Sequence, residues 1–167
     1  VLKVVDPTGL ALTSENSFDK LGRLTQSTNI NFTGDDSIVQ NGYDKNSRLI
    51  ISKQVLGSST LNTSIEYDKM NHITKKTDPN GNFSTIEYDN IYRIIKTIDA
   101  EDLEATYEYN ARSELIETIL DPSGFAITTN FEYNDRRELI QTTLPEGGIK
   151  MCEYDPNGNK ISSEDPM

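Results

Sequence analysis

The most regular chemical feature of the sequence is a row of five carboxylates. Glu66, Glu87, Glu108, Glu132 and Glu153 each stand directly before a tyrosine. On strands in phase, such residues stack along one face. They could form an acidic lining that cradles a basic cargo or binds cations, but a solvated face is the simpler reading. Lys75, Lys76, Lys96 and Arg93, on neighbouring segments, are placed to intersperse positive charge among them. Asp-x-Asn-x-Asn occurs at 78–82 and again at 155–159, matching the opening of a calcium loop. The sixth position is Phe83 or Lys160 rather than Gly, and no suitably spaced Glu closes the loop, so turn chemistry accounts for both copies.

The remaining reactive groups are isolated. Cys152 is the single cysteine and His72 the single histidine. An intrachain disulfide, a His-based metal cage and a pair of catalytic histidines are therefore excluded. Cys152 lies in an apolar column and reads as a small hydrophobe, since a nucleophile needs a nearby base. Asp35 and Asp36 are half of a carboxylate pair with nothing to complete it. There is no Gly-rich phosphate loop, nucleophile elbow or zinc pattern. The expectation is no catalytic residue, no metal and no cofactor.

The chain of 167 residues is long enough for one domain or a short repeat array. Its 27 acidic and 16 basic residues give a net charge of −11. That balance opposes binding to nucleic acid or to an anionic membrane surface. No apolar run approaches the ~20 residues of a membrane-spanning helix. The hydrophobic fraction, 34%, is low for a compact core, while eight Tyr with many Thr and Ile oppose disorder. The first residue is Val1 and no signal-peptide pattern follows, so the chain reads as a piece of a longer protein.

These residues are organised by a repeat. An aromatic followed by Asp or Asn recurs at Phe18, Tyr43, Tyr67, Tyr88, Tyr109, Tyr133 and Tyr154, at spacings of 25, 24, 21, 21, 24 and 21. Two residues before the last five anchors stand Ile65, Ile86, Tyr107, Phe131 and Cys152. Six residues after come Leu24, Leu49, Ile73, Ile94, Leu115 and Leu139. Seven after come Thr25, Ile50, Thr74, Ile95, Ile116, Ile140 and Ile161, all β-branched.

Side chains alternate along a strand, so each anchor shares a face with the residue two before it, and the Glu between points away. Turn formers fill the gap after each anchor, as in Asp155-Pro156-Asn157-Gly158. A β-branched strand follows and ends at a second turn, Asp78-Pro79-Asn80-Gly81 or Asp121-Pro122-Ser123-Gly124, with a further one beginning at Asp165-Pro166. Pro second and Gly fourth suit a type I turn. The expected fold is all-β: chained antiparallel hairpins of about fourteen short strands in an extended, curled and twisted sheet. Residues 1–167 read as a single array of about seven repeats with no second domain. The segment from Thr33 to Gly42 is the irregular part, and no stretch has a capped helical period. Anchors and apolar columns are expected to pack together, with the Asp and Gly turns setting register.

The pattern Tyr-Asp-x-x-Gly-Arg-Leu followed by Asp-Pro-x-Gly resembles the YD repeat of the Rhs family. Phe18-Asp19-Lys20-Leu21-Gly22-Arg23-Leu24 matches it with Phe for Tyr, and Tyr154-Asp155-Pro156-Asn157-Gly158-Asn159 matches a Gly-Asn variant. The resemblance covers nearly the whole chain. Some copies depart: Ser47, Asn71, Tyr92, Ser113 and Arg137 replace the turn Gly, and His72, Glu114 and Glu138 replace the Arg. Asp99-Ala100-Glu101-Asp102 lacks both Pro and Gly. Such departures mark drifted repeats.

The family includes bacterial polymorphic toxins, wall-associated proteins, insecticidal toxin complexes and teneurins. The resemblance implies a non-catalytic stretch of shell wall in a secreted or cell-surface bacterial protein. Its partners would then be further repeats of its own polypeptide and a C-terminal toxin. Val5-Asp6-Pro7-Thr8-Gly9-Leu10 is similar to the motif that closes an Rhs core, though repeats continue after it. The alternative class is an adhesion module that binds carbohydrate or a cell-surface partner.

Overall fold

The computed structural model describes residues 2–4, 13–30 and 36–164. They form fifteen strands and no helix: β1 (Leu2–Val4), β2 (Thr13–Phe18), β3 (Leu24–Ile30), β4 (Ser37–Tyr43), β5 (Leu49–Leu56), β6 (Ser59–Tyr67), β7 (Ile73–Thr77), β8 (Phe83–Tyr88), β9 (Ile94–Ile98), β10 (Glu104–Tyr109), β11 (Leu115–Leu120), β12 (Ile127–Tyr133), β13 (Leu139–Thr143), β14 (Ile149–Tyr154) and β15 (Lys160–Glu164). The chain divides into two compact units, Val1–Ser84 and Thr85–Met167. In the first, β1 to β7 pair in chain order, each antiparallel to the next. In the second, β8 to β15 do the same. The all-β architecture of chained hairpins is the one the repeat predicts.

Each anchor is the last residue of a strand and starts a tight hairpin. In the first, the Asp19 N–H donates to Arg23 O at 3.0 Å and the Gly22 N–H to Asp19 O at 3.0 Å. This is a three-residue loop, a type I turn followed by a left-handed residue. The same pair of bonds closes 44–48, 68–72, 89–93, 110–114, 134–138 and 155–159. Only Gly22 and Gly158 are glycines at the left-handed position. Ser47, Asn71, Tyr92, Ser113 and Arg137 adopt it with φ of 62 to 75°. The turns that lack glycine keep their geometry, so the residues that break the pattern do not break the loop.

The turns between repeats are more varied. Those at 78–82, 99–103 and 144–148 reuse the three-residue loop, with Gly81, Asp102 and Gly147 at positive φ. The one at Asp121 differs. Its N–H donates across the hairpin to Glu104 O, and Gly124 and Ala126 both donate to Asp121 O. A Cβ at Gly124 would displace the Asp121 carboxylate from its place in the turn. The irregular segment is shorter than expected, since Ser37 to Gly42 belong to β4. Asp165-Pro166 and Val5 to Leu10 lie outside the described residues.

Register explains the columns. The anchor opposes the residue six after it, as in Tyr109 with Leu115, and the residue two before opposes the one nine after, as in Tyr107 with Thr118. One residue between, Ile116, has no partner, so each hairpin carries a bulge. The same shift recurs beside Phe18, Tyr43, Tyr67, Tyr88, Tyr133 and Tyr154. The β-branched column is therefore the column of bulge residues.

Among the described residues no hydrophobic side chain is fully buried. The anchors and apolar columns are mostly half-buried, and Phe18 is exposed. A sheet with little covering it needs few apolar residues, which accounts for the 34% fraction. Among the described residues the one buried residue is charged: Glu114, at 7% exposure.

Candidate functional site

The chemistry of the molecule is concentrated at the turns that follow the anchors. In each Asp turn the first carboxylate oxygen accepts two backbone N–H groups. For Asp19 these come from Leu21 at 2.9 Å and Arg23 at 3.0 Å. The second oxygen accepts the Arg23 side chain, through Nε at 2.6 Å and Nη2 at 2.6 Å. Arg48 grips Asp44 in the same way, and Arg93 Nε donates to Asp89 Oδ2 at 2.7 Å. The guanidinium hydrogen bond holds the Asp19 carboxyl below its ordinary range, and the Arg48 N–H leads the same effect on Asp44.

The calcium-like motifs lie in turns of the same kind. Asp78 Oδ1 accepts the N–H groups of Asn80 and Asn82, and Oδ2 accepts Asn82 Nδ2 at 3.1 Å. Asp155 repeats this with Asn157 and Asn159. These carboxylates are engaged in closing their own turns. Among the described residues no group of three or more His, Cys, Asp or Glu is arranged to hold a metal ion. Cys152 is half-buried and sits opposite Ser163.

Each arginine also reaches the next hairpin. Arg23 lies over the ring of Tyr43 at 4.7 Å, and its Nη1 donates to Asp44 O and Ser47 Oγ, both at 3.2 Å. Arg48 lies over Tyr67 at 4.6 Å and donates to Asp68 O at 2.8 Å and Asn71 Oδ1 at 3.0 Å. Arg93 lies over Tyr109 at 4.6 Å and donates to Asn110 O and Ser113 Oγ. The tyrosines answer in the opposite direction. The hydroxyls of Tyr43, Tyr67, Tyr109 and Tyr154 donate to Leu24 O, Leu49 O, Ile94 O and Leu139 O, at 2.8 to 3.0 Å. At Tyr43, Tyr67 and Tyr109 adjacent hairpins are thus stapled twice, once by a cation over a ring and once by a phenol on a backbone carbonyl.

Two turns invert the charge. Asn110 and Asn134 replace the Asp, and Glu114 and Glu138 replace the Arg. Asn110 Nδ2 donates to Glu114 Oε2, and Asn134 Nδ2 to Glu138 Oε2, each at 2.6 Å. For Glu114 the cation now comes from the following hairpin: Arg137 Nε donates to Glu114 Oε1 at 3.1 Å, and its Nη2 to Arg112 O at 2.7 Å. Arg136 lies within 3.3 Å of Glu138 and donates to Pro156 O and Asp155 O. The Asn110 amide, ahead of the Arg137 and Arg112 cations, holds the Glu114 carboxyl low despite its burial. Burial, aided by the Glu114 charge, pushes the Tyr133 phenol up.

The left-handed residue of one turn is therefore matched to the reaching residue of the turn before. Arg23, Arg48 and Arg93 meet the acceptors Ser47, Asn71 and Ser113. Glu114 meets the donor Arg137. The sequence columns held this pairing, because Ser47, Asn71 and Arg137 lie 23 or 24 residues, and Ser113 20 residues, after their partners. It is visible only when columns from adjacent repeats are compared.

The Glu row lies on exposed positions, but its neighbours differ along the chain. Glu66 opposes Lys75, with 3.9 Å between the charges. Glu87 opposes Lys96, which closes an ion pair with Glu104 at 2.7 Å. Glu108 opposes Glu117, Glu132 opposes Gln141, and Glu153 opposes Ser162. Lys76 opposes Ile65 and lies off the row, and Arg93 is engaged in its turn.

No family model matches the chain, and no curated protein does. Solved structures do. One, described as TcdB2-TccC3-Cdc42, aligns with a TM-score of 0.72 and 19% identity over 93% of this chain. The fold is that of the Tc toxin structures. A TcdB2-TccC3 structure without its hypervariable C-terminal region aligns at 0.72 with 20% identity, over 93% of this chain. A Tc holotoxin pore from Photorhabdus luminescens aligns at 0.69 with 19% identity, over 92%. This chain spans 9% of the length of each of those chains. The hairpin architecture implied by the YD-repeat resemblance is thus the architecture found in these Tc toxin structures.

Proposed function

We propose that the chain is a non-catalytic structural segment, a stretch of the wall of a large Rhs-type shell that encloses a toxin or other cargo in a secreted or surface protein. One observation carries this reading: the polar chemistry of the anchor turns is directed at the neighbouring hairpin. Arg23, Arg48 and Arg93 each join one turn to the next, a device that extends a sheet from one hairpin to another. The anchors Phe18 to Tyr154 and the Asp turns act as structural residues, and residues 1–167 serve as one continuous array. The likeness to Tc toxin structures supports the same role.

The test is to image the full-length parent protein by cryo-electron microscopy. This reading expects the repeats of residues 1–167 in the wall of a closed hollow particle with density inside. An open, empty array, or a separate globular placement of this segment, would overturn it.

A further inference from the structure

The two units differ in charge. Val1–Ser84 holds nine basic and nine acidic residues, and Thr85–Met167 holds seven basic and eighteen acidic. The whole net charge of −11 therefore resides in the second unit. In the first unit Asp19 and Asp44 are neutralised by Arg23 and Arg48, and Asp68 is engaged by His72. What remains on that edge is Lys20, Lys45 and Lys69, one at the same turn position in each successive hairpin. All three are exposed, and none forms an ion pair among the described residues. In the second unit Glu108, Glu132 and Glu153 recur once per hairpin on an exposed face, opposed by Glu117, Gln141 and Ser162 rather than by a cation. Both rows advance by two strands per charge. That sets a common pitch of about 9.6 Å, twice the strand spacing.

We propose that the Lys20, Lys45, Lys69 edge of the first unit is an interaction surface for the Glu108, Glu132, Glu153 face of a second copy of this chain. Three cations then meet three carboxylates at one spacing, because the same sheet geometry sets both rows. The contact is heterologous, an edge on one copy against a face on the other, so it can propagate rather than stop at a dimer. Each pair is exposed and individually weak, so association requires high protein concentration and low salt.

The experiment is sedimentation velocity on the full chain across concentrations at 50 mM and 500 mM NaCl. The expected result is a concentration-dependent rise in sedimentation coefficient at low salt that disappears at high salt. Lys20→Glu, Lys45→Glu and Lys69→Glu together abolish it, as do Glu108→Lys, Glu132→Lys and Glu153→Lys together. Mixing the two triple variants restores it. All six side chains are exposed, and circular dichroism confirms that each variant is folded. A wild-type chain that stays monomeric at low salt overturns the proposal. So does association that survives either triple variant, or a mixture that fails to recover it. Anionic vesicles that bind the wild-type chain while it stays monomeric would assign the lysine edge to a membrane instead.

Discussion

The Asp-Arg turns and the Asn-Glu turns solve one problem with opposite charges. In both, the first residue caps the loop by accepting two backbone N–H groups, as Asp44 and Asn110 do. In both, the residue four later is gripped by that cap. The difference lies in where the next hairpin is held. In the Asp-Arg turn the cation reaches forward over a tyrosine ring. In the Asn-Glu turn the carboxylate stays in place and Arg137 reaches back to it. Burial follows. Arg48 keeps its side chain 20% exposed, whereas the Glu114 side chain is 5% exposed. A guanidinium can lie on a ring with its edge in water, while a carboxylate at that site is enclosed by its donors. The loop geometry is therefore indifferent to charge, but the pair of residues is not.

The largest effect should come from breaking the inverted pair. Glu114→Arg puts a third cation beside Arg112 and Arg137 and leaves Asn110 without its acceptor. The thermal midpoint should fall by on the order of ten degrees. Adding Arg137→Glu should recover much of that loss, since it recreates a forward Arg to an acceptor. A double variant no better than the single one would show that burial, not pairing, sets the cost. Arg48→Ala should cost about 2 kcal/mol, from a cation over a ring, an ion pair to one carboxylate oxygen and a carbonyl hydrogen bond. Arg112→Ala, half exposed with a 3.8 Å pair, should cost about 0.5 kcal/mol or less. Equal losses in denaturant unfolding would remove the distinction between a staple and a surface charge.

Much of the fold was legible in the sequence. The anchors, the apolar columns and the turn residues fix strand ends and face, because alternation and turn chemistry are local rules. The staples were less legible. Ser47, Asn71 and Ser113 read as drift from Gly, when each is the acceptor of an arginine in the previous repeat. Glu114 reads as a lost Arg, when its cation lies at Arg137. Pairing between repeats does not appear in a column that aligns them. The bulge was hidden for a related reason: Ile116 and its equivalents are β-branched like any strand residue, and only the register shows them unpaired.

Acid should loosen the staples. The Asp19, Asp44, Asp89 and Asp155 carboxyls are held below their ordinary value of 3.8, and Glu114 below 4.5. A group whose pKa is lower in the folded state stabilises fully above its unfolded pKa. That stability disappears as pH falls through the folded value. Unfolding midpoints should therefore be flat above about pH 5 and decline below pH 4. Glu114→Gln should shrink the decline while leaving the Asp turns to titrate. A midpoint that rises on acidification would contradict the assignment of these carboxylates as charged partners. Tyr109→Phe should cost about 1 kcal/mol, the worth of its hydroxyl bond to Ile94 O, at any pH below the phenol's raised titration.

The smallest effect is the most discriminating. Ser47 holds φ of 66° where glycine would sit more easily, and it accepts Arg23 Nη1 at 3.2 Å. Ser47→Gly relieves the backbone and removes the acceptor, so the single change should be near neutral. In an Arg23→Ala background the acceptor has no donor to lose. The same Ser47→Gly change should then stabilise, by roughly 0.5 kcal/mol. The cycle isolates the coupling between adjacent turns, free of each side chain's other roles. Its counterpart, Glu114 with Arg137, should couple more strongly, because both partners are charged and one is buried. A zero coupling for Arg23 and Ser47 beside a large one for Glu114 and Arg137 would confine matched pairing to the inverted turns. Serine at position 47 would then be no more than a tolerated left-handed residue.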